Sequence, residues 1–145
     1  MLTKIPIQKI SIEGEGFHLM IKANINGKKA NILIDTGASR TVFDSEQIKN
    51  FIPEDHDEFE DNEKLSTGLG TDSLASQATT IDELQFGDLI IKNYIAVVLD
   101  MKHINQSYSK LNFPAIDGVL GGDLLSKYKA VIYYKEKILK LYYYD

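Results

Sequence analysis

The chain has 145 residues, 43% of them hydrophobic and 26% charged, which suits one domain with a buried core and leaves no room for two. A net charge of −5 with no concentrated Lys/Arg stretch argues against a nucleic-acid partner, and the lack of cysteine removes disulfides, thiolate catalysis and cysteine-ligated zinc. The opening MLTKIPIQKI has neither the apolar core nor the cleavage site of a signal peptide, and no apolar run is long enough to span a membrane, so a cytoplasmic setting with no membrane partner is expected for the chain as given.

From residue 17 the sequence alternates: Phe17, Leu19, Ile21, Ala23 and Ile25 fall on one face of a strand, and His18, Met20, Lys22 and Asn24 on the other. Asn26-Gly27 is a strong hairpin signal. The returning strand, Ala30 to Ile34, runs straight into Asp35-Thr36-Gly37-Ala38-Ser39. Thr41 to Phe43 predicts a further short strand, and Ser45 to Phe51 a short helix capped by Asp44 or Ser45.

The run Glu54 to Glu63, EDHDEFEDNE, is dense in carboxylates. A calcium loop needs ligands at fixed offsets around a central glycine, which this run lacks, so it reads as a solvated loop. His18, His56 and His103 are scattered, with no metal-ligand spacing between them. A polar stretch centred on Gly68-Leu69-Gly70 follows. Leu84 to Phe86, Leu89 to Ile91 and Tyr94 to Leu99 are apolar runs separated by predicted turns at Gly87-Asp88 and Lys92-Asn93. Met101 to Pro114 reads as a long connection. Beyond the apolar Ile116 to Gly121, Asp123 to Tyr128 predicts a short helix, and Ala130 to Tyr134 with Ile138 to Tyr144 a closing hairpin across Lys135-Glu136-Lys137. The fold class is mainly β, a small closed or sandwiched arrangement, with residues 1–145 forming one domain.

The chemistry centres on Asp35. Three apolar strand residues bring the chain out of the core there, and Gly37 permits a sharp turn and close backbone approach. A carboxylate at the mouth of an apolar scaffold can act as general base toward water. Two facing carboxylates do better, because like charges so close cannot both ionise: one stays protonated as acid while the other serves as base. Taken alone, Asp-Thr-Gly is equally a polar turn after a strand.

It does not stand alone. Leu33-Ile34-Asp35-Thr36-Gly37-Ala38-Ser39, then Gly68-Leu69-Gly70, then Val119-Leu120-Gly121 followed by a short helix resemble, in order, the motifs of the retropepsin-like, single-lobed aspartic proteases. The resemblance covers roughly residues 15–144. It implies a small closed β-barrel with a flap hairpin and one or two short helices, and an aspartic endopeptidase active as a homodimer with one Asp-Thr-Gly per chain. It further implies that Asp35 activates water, Thr36 bonds across the dimer axis and Gly37 lets substrate approach. Gly68, Leu69 and Gly70 would close over an extended peptide or protein substrate beside Ala38 and Ser39. Val119, Leu120 and Gly121 would support the catalytic loop. No metal and no organic cofactor is implied, and Asp117 lies in the wrong motif to be a second catalytic aspartate. Gly122 stands where viral members carry a dimer-bracing arginine. The C-terminal LKLYYYD either forms a dimer sheet or covers the core. Two other functions fit the residues less well: a non-catalytic module of the same fold for dimerisation or peptide binding, and a metal-dependent hydrolase built on the acidic loop.

Overall fold

The computed structural model describes residues 1–11, 16–53, 60–61 and 77–144. Its strands are β1 (Leu2–Pro6), β2 (Gln8–Ser11), β3 (Phe17–Ile25), β4 (Lys28–Ile34), β5 (Val42–Asp44), β6 (Glu60–Asp61), β7 (Gln77–Phe86), β8 (Leu89–Leu99), β9 (Gly118–Leu120), β10 (Val131–Tyr133) and β11 (Ile138–Tyr142). Two helices, α1 (Lys102–Lys110) and α2 (Gly122–Lys127), accompany them.

The larger sheet runs β2-β3-β4-β9-β5-β8-β7-β6, and β3 also pairs with β7. Six strands, β3-β4-β9-β5-β8-β7, therefore close into a barrel. The seam is short, with Asn24 opposite Gln85 and Ile25 opposite Leu84. Asn26 completes it. With φ of 51° ahead of Gly27 at 83°, it supplies the left-handed turn of the β3–β4 hairpin. Its backbone N–H donates to Glu83 O, its Oδ1 accepts from Glu83 N and its Nδ2 donates to Phe51 O. One residue thus turns the hairpin and ties the barrel shut.

The alternation read from β3 is the alternation observed. Leu19, Ile21, Ala23 and Ile25 join Ile32, Phe43, Ile81, Leu84 and Phe86 in the main core. Met20, on the opposite face, joins a second cluster with Ile10, Met101, Tyr108, Ile116 and Val119. That cluster lies under α1, so Met101 to Pro114 is not the plain connection its sequence suggested. α1 has no apolar stripe: Tyr108 is its one buried residue and Ile104 is exposed. It is held by polar clamps instead. Asp100 Oδ1 accepts Lys102 N at 2.9 Å, and Asn105 brackets Ile116, accepting its N–H at 2.7 Å and donating to its carbonyl at 3.2 Å.

Two further expectations change. The predicted Lys92-Asn93 turn is absent, because β8 runs unbroken; Asn93 takes a left-handed φ of 52° where the β7–β8 ladder skips one pair. The helix at Ser45 to Phe51 contracts to a 3-10 turn, Gln47–Asn50, opened by Asp44 Oδ2 accepting Gln47 N at 2.9 Å.

A separate three-stranded sheet runs β1-β11-β10. β10 and β11 form the closing hairpin, and β1 pairs antiparallel along the other side of β11 from Leu2↔Tyr142 to Pro6↔Ile138. β11 is thus an interior strand with both edges used inside one chain, and Leu139 and Leu141 are buried in the main core. The C-terminal strand therefore covers the core through Leu139 and Leu141. No helix among the described residues is long and apolar enough to cross a membrane.

Candidate active site

β4 and β9 run parallel in the barrel wall, with Leu33 opposite Val119 and Ile34 opposite Leu120. The ladder extends one step past the strand end, where Asp35 N donates to Leu120 O at 3.0 Å. There the chain turns. Ala38 N donates to Asp35 O at 3.2 Å, and Gly37 N donates to the carboxylate, Asp35 Oδ1, at 2.9 Å. A Cβ at position 37 would stand 3.3 Å from that oxygen, so glycine keeps the turn open. Asp35, Thr36 and Gly37 are all exposed. The result is a solvent-facing carboxylate with one oxygen fixed by a backbone donor.

A second layer grips this loop. Gly122 N donates to Ala38 O at 2.6 Å, and Gly121 N donates to the Thr41 hydroxyl at 3.0 Å. The buried Thr41 bonds in turn to Asp123 Oδ1, through its hydroxyl at 2.7 Å and its N–H at 2.9 Å; the same oxygen accepts Leu124 N at 2.8 Å. Burial, with Asp123 nearby, pushes the neighbouring Tyr94 phenol far above its ordinary value, so it stays neutral. Gly121 has no room for a side chain: a Cβ would come within 2.5 Å of Arg40 O and 3.0 Å of Ala38 O. At Gly122 the start of α2 presses against the loop backbone, where an added Cβ would stand 3.3 Å from Ala38 O.

Asp35 and Thr36 line a groove of about 310 Å³ together with Phe17, His18, Ile132 and Tyr134, and Leu33 and Ile34 contribute apolar wall. Thr36 also borders a second groove of about 290 Å³, shared with Gly122, Leu125, Ser126 and Ile132. Phe17 and Tyr134 are 56% and 63% exposed, an arrangement suited to apolar contact with another chain.

Residues 21–124 match the family described as aspartyl protease. The chain belongs to the aspartyl protease family. Among solved structures it is similar to a retropepsin-like aspartic protease from Rickettsia conorii, at 19% identity and a TM-score of 0.56 over 97% of this chain and 93% of that one. It is similar as well to the retroviral protease-like domain of Ddi1 from Leishmania major, at 14% identity, TM-score 0.56, 86% and 87% coverage. A third is EIAV protease in complex with the inhibitor HBY-793, at 19% identity, TM-score 0.55, 86% and 99% coverage. A search of curated proteins finds none that matches the sequence. At these identities the structures show a shared retropepsin-like fold.

In this member of the family, the sequence motifs at Asp35–Ser39 and Val119–Gly121 meet as one unit. The Ala38 side chain packs against the second apolar cluster, and Ser39 is exposed. Gly68, Leu69 and Gly70 lie outside the described residues, as does most of the acidic run. No group of three His, Asp or Glu side chains among the described residues is placed to hold a metal. Asp117 lies outside the groove and is structural: Asn31 N donates to its Oδ2 at 2.7 Å, its own N–H donates to Asn31 O, and its carbonyl accepts Asp44 N. Burial raises its pKa above the ordinary carboxylate value.

Sequence reasoning missed Thr41 and Asp123, whose pairing spans 82 positions, and it missed His18. That imidazole lines the groove beside Asp35. Its Nδ1 lies 2.6 Å from the hydroxyl of buried Tyr108 on α1. Burial raises the Tyr108 pKa, so the phenol stays protonated and donates, leaving the proton of a neutral His18 on Nε2.

Proposed function

We propose that this chain is an aspartic endopeptidase, that Asp35 activates the attacking water, and that a second copy supplies the other carboxylate of the dyad. The observation that carries the reading is the Asp35 loop: an exposed carboxylate held by Gly37 N–H at the end of a barrel strand and beside a partly apolar groove. In the dyad the ionised Asp35 takes a proton from water as the oxygen attacks the scissile carbonyl. The protonated Asp35 donates to the carbonyl oxygen, and proton return to the amine nitrogen releases the two products. The two carboxylates supply acid and base between them, so the reaction calls for no metal, cofactor or covalent enzyme intermediate.

Thr36 fixes the two loops across the twofold axis, and Gly37, Ala38 and Ser39 present backbone to the substrate. An extended peptide or protein lies in the groove, bound by strand-like hydrogen bonds, with Gly68, Leu69 and Gly70 closing over it as the flap. Val119, Leu120 and Gly121 hold the loop from beneath. Residues 1–145 act as one domain. Asp35→Asn tests the assignment, because the amide keeps the shape and cannot act as base. The folded variant is expected to lose peptide cleavage; cleavage at the wild-type rate refutes the role of Asp35. A wild-type chain that binds peptides and never cleaves them would assign the fold to peptide capture.

A further inference from the structure

The groove that holds Asp35 also holds a nitrogen donor that the cleavage chemistry does not use. His18 is exposed and lines that groove beside Phe17 and Tyr134. Its Nδ1 lies 2.6 Å from the hydroxyl of Tyr108, which is only 3% exposed. The two rings stand 5.9 Å apart, and Phe113 packs against Tyr108 at 6.0 Å. Tyr108 is therefore well confined, and it holds the imidazole by one nitrogen. That bond also settles what the other nitrogen offers. In a neutral ring Nδ1 accepts from the phenol and the hydrogen sits on Nε2; in a charged ring both nitrogens carry one. Either way Nε2 presents an N–H, and among the described residues nothing accepts it. A cation lies close by, because Lys9 Nζ stands 4.1 Å from the centroid of the Phe17 ring. Leu33 and Ile132 supply apolar wall, which weakens the screening of any charge held there. The one carboxylate among the lining residues is Asp35, which in the proposed dyad shares a proton with its counterpart.

We infer that His18 determines specificity: its Nε2–H, oriented by Tyr108, selects an acidic side chain, Glu or Asp, close to the scissile bond. The inference rests on the endopeptidase reading, in which an extended peptide fills this groove. A carboxylate accepts a charge-assisted hydrogen bond from Nε2, an amide oxygen accepts a weaker one, and leucine accepts none. A lysine brings a second donor and a like charge near Lys9. Tyr108 acts through His18 as a positioning residue. Without the phenol the neutral ring is free to carry its hydrogen on Nδ1, and Nε2 then turns a lone pair toward the substrate, which repels a carboxylate.

Peptides carrying Glu, Gln, Leu or Lys in turn at each position flanking the cleaved bond would be ranked by kcat/KM. At one position the wild type is expected to favour Glu over Leu by roughly tenfold, with Gln between them and Lys last. Ratios taken within one variant do not depend on how much of it is folded. His18→Asn keeps a polar group near the Nδ1 position for Tyr108 and has none at Nε2, so its Glu:Leu ratio should fall to near one. His18→Gln places its amide near the Nε2 position and should keep part of the ratio. Tyr108→Phe leaves the groove lining in place and should lower the ratio several-fold. A His18→Asn ratio equal to that of wild type, or a wild type with no preference for Glu at any position, overturns the inference and leaves His18 as a cap for the Tyr108 hydroxyl. Binding of the same peptides to Asp35→Asn, followed by fluorescence anisotropy, separates this inference from the reading beneath it. A His18-dependent preference for Glu in binding, with no cleavage by the wild type, would keep the selectivity and remove the endopeptidase reading. Asp35-dependent cleavage with no preference for Glu would do the reverse.

Discussion

Gly121→Ala should be among the most damaging single-methyl changes in this protein. Gly121 has φ of −104° and ψ of −176°, an extended conformation that alanine adopts freely. Any cost therefore comes from space. The added Cβ meets Arg40 O at 2.5 Å, Arg40 C at 2.6 Å and Ala38 O at 3.0 Å. These are main-chain atoms that no rotamer change can clear. The Ala38–Arg40 backbone must retreat by roughly an ångström to reach ordinary contact. That movement pulls on Gly122 N–Ala38 O and on Gly121 N–Thr41 Oγ1. Overpacking costs about 1–3 kcal/mol, and loss of the two hydrogen bonds, one buried and one between half-buried residues, adds about 1 kcal/mol each. The expected loss is about 3–5 kcal/mol, a large share of a typical total of about 5–15 kcal/mol. Gly122→Ala is the control: its Cβ stands 3.3 Å from Ala38 O and opens α2, where alanine is favourable, so its loss should stay under about 1 kcal/mol. Urea midpoints of both variants would decide. A Gly121→Ala protein as stable as wild type, or equal losses from the two, would refute the packing argument.

Thr41→Val removes the hydroxyl that accepts Gly121 N and donates to Asp123, leaving the buried Gly121 N–H unpaired at a cost of about 1–3 kcal/mol; unchanged thermal unfolding would count against the brace. Asp117 bears on pH. Because its folded pKa is raised above 3.8, the folded state holds that proton more tightly than the unfolded, and stability falls as pH rises from about 3.8 through the raised value, then levels off. Asp117→Asn keeps an acceptor for Asn31 N and should erase that slope; urea midpoints with the wild-type pH dependence would contradict this. His18→Leu strands the hydroxyl of buried Tyr108 and should cost about 1–3 kcal/mol, whereas Tyr108→Phe should cost about 0.5–1.5 kcal/mol; the opposite ranking in denaturant titrations would show that the Tyr108 hydroxyl does not depend on His18.

Features written in short-range patterns were legible in the sequence. The β3–β4 hairpin follows from alternation and Asn26-Gly27, the turn at Asp35–Gly37 from its glycine, and the β10–β11 hairpin from two apolar runs around Lys135–Lys137. α1 was not legible, because it has no apolar stripe and depends on clamps from Asp100 and Asn105. The Lys92-Asn93 pair carries the chemistry of a turn, yet the β7–β8 ladder on either side holds the strand straight and the left-handed residue is absorbed within it. The candidate site divides the same way. Asp35 and Val119–Gly121 declared themselves by motif. Thr41–Asp123 and His18–Tyr108 are polar pairs 82 and 90 positions apart, and nothing local distinguishes those residues from ordinary surface ones.

The pairing of β1 with β11 has a consequence for how the protein is made. Leu2 and Tyr142 are neighbours, so the strand that pairs with β1 is made after every other described strand. During translation the barrel hairpins can pair as they emerge, but the smaller sheet cannot begin on β1 until Ile138–Tyr142 has left the ribosome. Closing that loop also carries the largest entropy cost of any contact in the fold. Until then β1 lacks its strand partner, and Leu139 and Leu141 are missing from the core they later fill. A chain stalled before β11 could close its barrel along β3 and β7 and would still lack the two leucines that complete the core.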